Sequence, residues 1–350
     1  MKLTIPILTG LLLFGVKCSK RKNIDIQGFD DSVNRSDFYI KFGEHKNKKP
    51  RNYEIKNTQK TQKLINSNKK LNIKCSDFYN YKFQGIKINK ILQIMKSGQI
   101  TNIIPSKKTG STVKFTIYVK QQNIELRTFF KPKHRSLKYT NPQGEVAAFR
   151  IAAILNIHTV PPAVLRTLSS SELLKLLEKY GPENKAFQFK KEVLTSSDKL
   201  TGAMLLWIHH VKNFNKVKAN FNFIYSKRKI PTKNYKIVKQ LTEIMAVDYL
   251  TSNYDRFSGG NILREKHGDI LYFIDNGAAF GFEKGWDNAY LHNMITKMKK
   301  ISIKMYKKLK NTPNFVFQKC LSDVLDKKQI ENLLKRKKFL LSQFEKLQKI

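Results

Sequence analysis

Apolar and polar residues alternate from Val113 to Val119 (VKFTIYV), the pattern of a strand with one buried face. Leu126 to Lys131 (LRTFFK) repeats it after a short polar segment, and Pro132, which has no N–H to give a neighbour, ends that second strand. Glu145 to Leu155 (EVAAFRIAAIL) has helical spacing, with Val146, Phe149 and Ala153 on one side. Ser169 and Glu172 form a capping box ahead of Leu173, Leu174 and Leu177, so a further helix starts there. Tyr235 to Thr251 predicts a long amphipathic helix with a stripe of Val238, Leu241, Met245 and Tyr249. Ile270 to Ile274 (ILYFI) predicts a buried strand. From Asp326 to Ile350 the chain is helical, with Ile330, Leu333, Leu334, Leu340, Leu341, Phe344 and Leu347 facing inward. Strands with one helix come first and helices dominate afterwards. The fold class is therefore α+β, with a small β-rich lobe and a larger, mainly helical one.

The N-terminal end reads differently. Met1-Lys2 is a short positive start, Thr4 to Val16 (TIPILTGLLLFGV) is apolar, and Val16 and Cys18 are small enough for a cut after Cys18. Residues 1–18 thus predict a secretory signal peptide, too short to span a bilayer. No later run is long and apolar enough to cross a membrane. Asn34, in Asn34-Arg35-Ser36, is a glycosylation acceptor. Residues 19–90 predict a flexible basic stem, since 19–75 are rich in Lys and Asn and lack periodicity. Residues 91–350 form the expected folded unit, with the β-rich lobe over about 91–165 and the helical lobe over about 166–350. Cys75 and Cys320 would remain after cleavage, either as a disulfide in an oxidising lumen or as two buried thiols.

The 350 residues include 67 Lys+Arg against 26 Asp+Glu, a formal charge of +41. A 41% apolar share is enough for a core and excludes a wholly disordered basic tail. The charge suits a polyanionic partner. Yet the lysines are spread along the chain, and Lys, Asn and Ile, which A/T-rich codons favour, are abundant together. The acids are more informative. Eight of the 26 lie between Glu243 and Asp287, where an even spread would give about three.

Two of those acids stand in a suggestive order. Asp255 follows a helix in Asn253-Tyr-Asp-Arg-Phe-Ser-Gly-Gly-Asn261, and Asp275 follows a strand in Phe273-Ile-Asp-Asn-Gly277. In a phosphotransferase the first Asp accepts the acceptor's hydroxyl proton. The second holds a divalent metal across nucleotide phosphates, and Asn supplies a further oxygen. Alone, Asp255-Arg256 reads equally as an ion pair and Asp275-Asn276-Gly277 as a turn. Upstream, Lys131 at a strand end can reach a phosphate, and Glu145, fourteen residues on, can pair with it or reach a metal. Gly110, Ser111 and Thr112 can lie over phosphates through their backbone N–H groups. The sequence has no GxxxxGK[ST] loop, GxGxxG, zinc spacing, GxSxG elbow or RNA-binding aromatic signature, so no nucleic-acid partner is expected.

Phe129-Phe-Lys-Pro132, Gly144-Glu-Val-Ala-Ala-Phe149, Val160-Pro-Pro162 with Arg166, Asp248-Tyr-Leu-Thr-Ser-Asn-Tyr-Asp-Arg256 and Phe273-Ile-Asp-Asn-Gly277 follow one another in unbroken order. Together they resemble the four-jointed and Golgi casein kinase family of atypical secretory-pathway kinases, over roughly residues 105–290. The Asp248 to Arg256 stretch is nearest the four-jointed branch, and Asp275 to Gly281 is nearer the Golgi casein kinase branch. The resemblance implies a kinase-like bilobal fold binding ATP and Mn²⁺ or Mg²⁺. Lys131 would contact nucleotide phosphate, Asp255 would be catalytic and Asp275 would be the metal ligand. Glu145 would hold metal or pair with Lys131. Arg256, Asn276 and Gly277 would support the site. Asn261 lies six residues after Asp255, one beyond the usual spacing of the second metal ligand in kinases. The implied activity is transfer of the ATP γ-phosphoryl group to Ser/Thr hydroxyls of secreted or cell-surface proteins, in the Golgi lumen or outside the cell. A glycan kinase of the same family and a secreted basic pseudokinase that binds anionic glycans are the alternatives.

Overall fold

A computed structural model describes residues 73–350, except 107–111, 138, 216, 258 and 282–287. The predicted signal peptide, the stem as far as residue 72, Asn34, Gly110, Ser111, Glu283 and Asp287 lie outside the described residues.

The strand patterns resolve into one five-stranded antiparallel sheet: β3 (Gln99–Pro105), β4 (Phe115–Gln121), β5 (Ile124–Pro132), β6 (Ala163–Ser169) and β7 (Lys199–Leu206), in spatial order β3-β4-β5-β7-β6. Along β5, Leu126, Thr128 and Phe130 are buried on one face, which turns Lys131 to the other. Helix α2 (Pro142–Ile154) packs on β6 and β7. Its start is fixed by Asn141, whose side chain accepts from Gln143 N at 3.2 Å, and by Pro142, whose ring presets the first helical φ. Helices α3 (Ser170–Tyr180) and α4 (Glu183–Glu192) sit between β6 and β7 in the chain. The capping box is where expected, with Ser169 Oγ accepting from Glu172 N at 3.1 Å. The β-rich part therefore extends to Leu206, beyond the expected boundary near 165. The α3–α4 excursion hides in the sequence that β6 and β7 close the same sheet.

Beyond β7 the chain turns helical. Short strand β8 (Val211–Asn213) and helix α5 (Val217–Ile224) lead to α6 (Thr232–Thr251), which is followed by the hairpin β9 (Ile262–Glu265) and β10 (Leu271–Phe273). From Tyr249 to Thr251 every residue of α6 is buried, so its last turn runs through the core rather than along a face. Helices α7 (Ala289–Lys297), α8 (Ile303–Asn311), α9 (Asn314–Leu321) and α10 (Lys327–Phe344) follow. The helix expected to run to Ile350 stops at Phe344, because Gln348–Lys349 extends to pair in parallel with Lys300–Ile301. The architecture is the expected α+β one, sheet first and helices after. Among the described residues no helix is long and apolar enough to cross a membrane.

The stem expected over 19–90 gives way to structure before its predicted end. Residues Cys75–Tyr79 form a 3-10 turn, β1 (Lys82–Phe83) and β2 (Ile86–Lys87) form a hairpin, and helix α1 (Ile88–Ser97) buries Ile88, Ile91, Ile94 and Met95. The pieces before α1 are too short to show periodicity. They are held from outside the local sequence: Tyr79 stacks on Phe149, and Cys75 is disulfide-bonded to Cys320 of α9, 245 residues away. A cross-link spanning so much chain restricts the unfolded state strongly. Reduction is expected to lower stability by about 2–4 kcal/mol, measured as the shift of the denaturant midpoint with and without reductant. Arg166, part of the resemblance, donates to the carbonyls of Met95 (3.0 Å) and Gly98 (2.8 Å) at the end of α1. Its role here is to fasten that helix to the sheet.

Candidate active site

Three parts of the chain converge on Lys131. Its Nζ donates to Glu145 Oε1 of α2 at 2.8 Å and to Asp275 Oδ1, just past β10, at 2.9 Å. Glu145 is 1% exposed, and its second oxygen accepts from Asn276 N at 2.9 Å. Both Glu145 oxygens are thus engaged, and of its two expected roles the structure displays the pairing with Lys131. Burial alone would lower the Lys131 pKa, but the charges of Asp275 and Glu145 outweigh it and hold the ammonium well above its usual range. Partial desolvation by the pocket walls opposes ionisation of Asp275 too, although its side chain keeps one side in solvent. There Lys131 prevails, by charge and hydrogen bond, and keeps the carboxyl below the usual carboxylate range.

Asp275 itself stands in the left-handed region, at φ +58°. The chain reverses there, and Gly277 passes so close to the 139–141 segment that a Cβ would lie 2.4 Å from Tyr139 O. Asn141 N donates to Gly277 O at 2.9 Å, and Asn141 Nδ2 donates to Ala279 O at 3.1 Å. The need for glycine at 277 is therefore close approach rather than an unusual φ. Gly144 meets the same loop from the helix side, where a Cβ would sit 2.4 Å from Ala279 O.

Asp255 is positioned by a separate scaffold. α6 ends at Ser252, φ +55°, and the buried Asp248 of its last turn accepts from Asn253 Nδ2 at 3.1 Å. Arg256, 1% exposed, pairs with Asp248, donating through Nε and Nη2 at 3.0 Å each. Its remaining donors reach the carbonyls of Ile274 and Asn261 and Asn276 Oδ1. One guanidinium thus ties the loop carrying Asp255 to the strand end carrying Asp275. Of the two sequence readings of Asp255-Arg256, the ion pair exists, but with Asp248.

Asp255, Asp275, Lys131, Glu145 and Asn261 all line one pocket of about 220 Å³, with Thr112 on its wall. Asn261 Nδ2 donates to Asp255 O at 2.9 Å, so its place one residue late does not remove it from the site. The pocket therefore brings together the expected site residues Thr112, Lys131, Glu145, Asp255, Asn261, Asp275 and Gly277, while Arg256 and Asn276 do not line it but hydrogen-bond to Asn261 and Glu145, which do. It adds some the sequence reading missed. Lys114 lines the pocket, and its charge also helps hold Asp275 low. Neighbouring Val113 N donates to the buried His134 Nε2 at 3.1 Å, and desolvation lowers the pKa of that imidazole. Asp248 was visible in the acid cluster. Lys114 carried no signal among so many lysines.

No family model and no curated protein matches the sequence. Solved structures do match. The Golgi casein kinase is 17% identical with a TM-score of 0.57, over 86% of this chain and 93% of that one. The chain has the Golgi casein kinase fold. The Golgi casein kinase with Mn/ADP bound is similar at 17% identity and TM-score 0.58, over 87% and 93% of the two chains. Hydra Fam20 with sugar is similar at 18% and 0.57, over 79% and 95%.

Proposed function

We propose that the chain is a metal-dependent kinase of the secretory pathway, related to the Golgi casein kinase, that phosphorylates Ser/Thr hydroxyls of secreted or cell-surface proteins. One observation carries this reading: Lys131 bonds Glu145 and Asp275 in the pocket that also holds Asp255. A Lys–Glu pair between sheet and helix, with one Asp at a strand end and another on a loop after a helix, is the division of labour that phosphoryl transfer needs.

Lys131 and Lys114 would draw in the phosphates of ATP. Asp255 would accept the hydroxyl proton. Asp275, with Asn261 nearby, would hold Mn²⁺ or Mg²⁺. Among the described residues no three His, Cys, Asp or Glu side chains form a metal-binding group. The oxygen donors present fit a hard cation that takes one or two carboxylates and completes its shell with substrate phosphates. When bound, the metal supplies Lewis-acid stabilisation of phosphate charge. The Golgi casein kinase solved with Mn/ADP supports that assignment. The Cys75–Cys320 disulfide supports an oxidising compartment. A glycan hydroxyl is the second reading for the acceptor, favoured by the likeness to a hydra Fam20 protein solved with sugar.

The test is the purified chain with labelled ATP and Mn²⁺ or Mg²⁺, against mixed secreted-protein and glycan acceptors. Wild type should label an acceptor, chelator should stop it, and Asp255→Ala should lower transfer at least about a hundredfold. Labelling that survives in Asp255→Ala would refute the catalytic assignment.

A further inference from the structure

A second cavity, of about 700 Å³, shares no lining residue with the first. It is bounded by the β1–β2 hairpin, the loop after α2, the 207–210 linker leaving the five-stranded sheet, α6 from Lys236 to Glu243, the β9–β10 hairpin and the start of α8. Its size falls within the range of small-molecule sites. Lys82, Lys236, Lys266 and Lys304 lie at its edge, all exposed, and among the described residues no carboxylate pairs with any of them. The one further lysine, Lys239, is neutralised by Glu243 at 3.0 Å, and the remaining carboxylate, Glu265, accepts from Tyr272 Oη at 3.2 Å. Four of the chain's seven histidines line the same cavity, His209 and His210 on the linker among them. Diffuse lysine enrichment accounts for basic surface anywhere on this chain. It does not account for most of the histidines meeting in one hollow.

The backbone marks the same place independently. Seven described non-glycine residues have positive φ, and three of them, Gln84 (47°), Asn156 (58°) and His210 (55°), line this cavity. Such conformations are costly and concentrate where a site must be shaped. Gln84 Nε2 donates to His209 O at 3.3 Å, and Lys266 N donates to His210 O at 2.9 Å, so hairpin, linker and β9–β10 turn are tied together around the hollow. Phe83 and Tyr272, edge to face at 5.6 Å, provide an apolar part of the wall. A face of ring carbons would rest there while charged substituents reach the lysines.

We propose that this cavity binds a compact polyanion: a small ring-based ligand carrying several phosphate or sulfate groups. The proposal does not rest on the kinase reading, and it gives the positive charge a local use.

The test is calorimetric titration of the full chain with myo-inositol hexakisphosphate and with a heparin-derived tetrasaccharide. Unsubstituted inositol and the desulfated tetrasaccharide serve as blanks. At least one charged probe should bind at one site per chain, and which one binds separates phosphate from sulfate. Lys236→Gln/Lys266→Gln should weaken that binding at least about tenfold, roughly the loss of one charge-assisted contact. Lys327→Gln/Lys328→Gln removes the same charge from exposed positions at the start of α10 and should change it by less than about twofold. Equal weakening by both pairs, or no one-to-one binding by either charged probe, overturns the proposal. All four positions are exposed, so melting curves should coincide with wild type. Kinase activity does not enter this test, so its outcome is separable from that of the proposed function.

Discussion

Asp275→Asn is expected to reduce phosphoryl transfer on the order of 10³-fold or more while leaving the chain folded. The two halves of that expectation have different origins. The substitution keeps an oxygen that can accept from Lys131 but removes the charge, and with it one of the carboxylates the pocket offers a divalent cation. It also leaves Lys131 with one anionic partner, Glu145, so the ammonium loses part of what keeps it placed over the pocket. Stability should change little, because the Asp275 side chain is 46% exposed and solvent on that side screens its pair with the less exposed Lys131. Three measurements check this together: labelled phosphate transfer, the melting temperature without ligand, and the thermal shift on adding ADP with Mn²⁺. Wild type should be stabilised by nucleotide and metal through mass action. Asp275→Asn should melt like wild type alone and lose most of that shift. Activity within tenfold of wild type would mean that Asp275 does not hold the metal.

The sequence made the candidate site legible because acids are scarce in it. Asp255, Asp275 and Glu145 stood out against 67 basic residues, and each followed or opened an element whose periodicity was clear. The same scarcity could not point to Lys114, nor to the lysines around the second cavity. The strands that position Lys131 alternate cleanly, so β4 and β5 were readable. β6 and β7 were not, because they are paired across the α3–α4 excursion and their register depends on contacts far apart in the chain. Residues 75–87 escaped for a related reason. Two-residue strands and a single 3-10 turn have no period, and their stability comes from Cys320 and Phe149. Only α1 left a trace that a closer reading of Ile88, Ile91 and Ile94 would have found.

Removing Asp248 should be the most destabilising single change near the site. Asp248→Ala strands Arg256, whose guanidinium is 1% exposed, without its carboxylate, and breaking one side of a buried pair costs about 3–5 kcal/mol. The denaturant midpoint should fall accordingly with an unchanged slope. Replacing both partners by apolar residues tests what the pair is for. Asp248→Leu/Arg256→Met removes the stranded charge and should recover much of the lost stability, since well-packed apolar replacements of buried ion pairs are often neutral. Activity should not recover with it. Arg256 also donates to Ile274 O and Asn276 Oδ1, and those bonds hold the Asp275 strand end against the loop that carries Asp255. No methionine can make them. A double variant as stable as wild type but catalytically impaired would show that Arg256 acts by setting the distance between the two aspartates. A double variant recovering both stability and activity would reduce the Asp248–Arg256 pair to a packing element and leave the loop to be positioned by Asn253 and Asn261 alone.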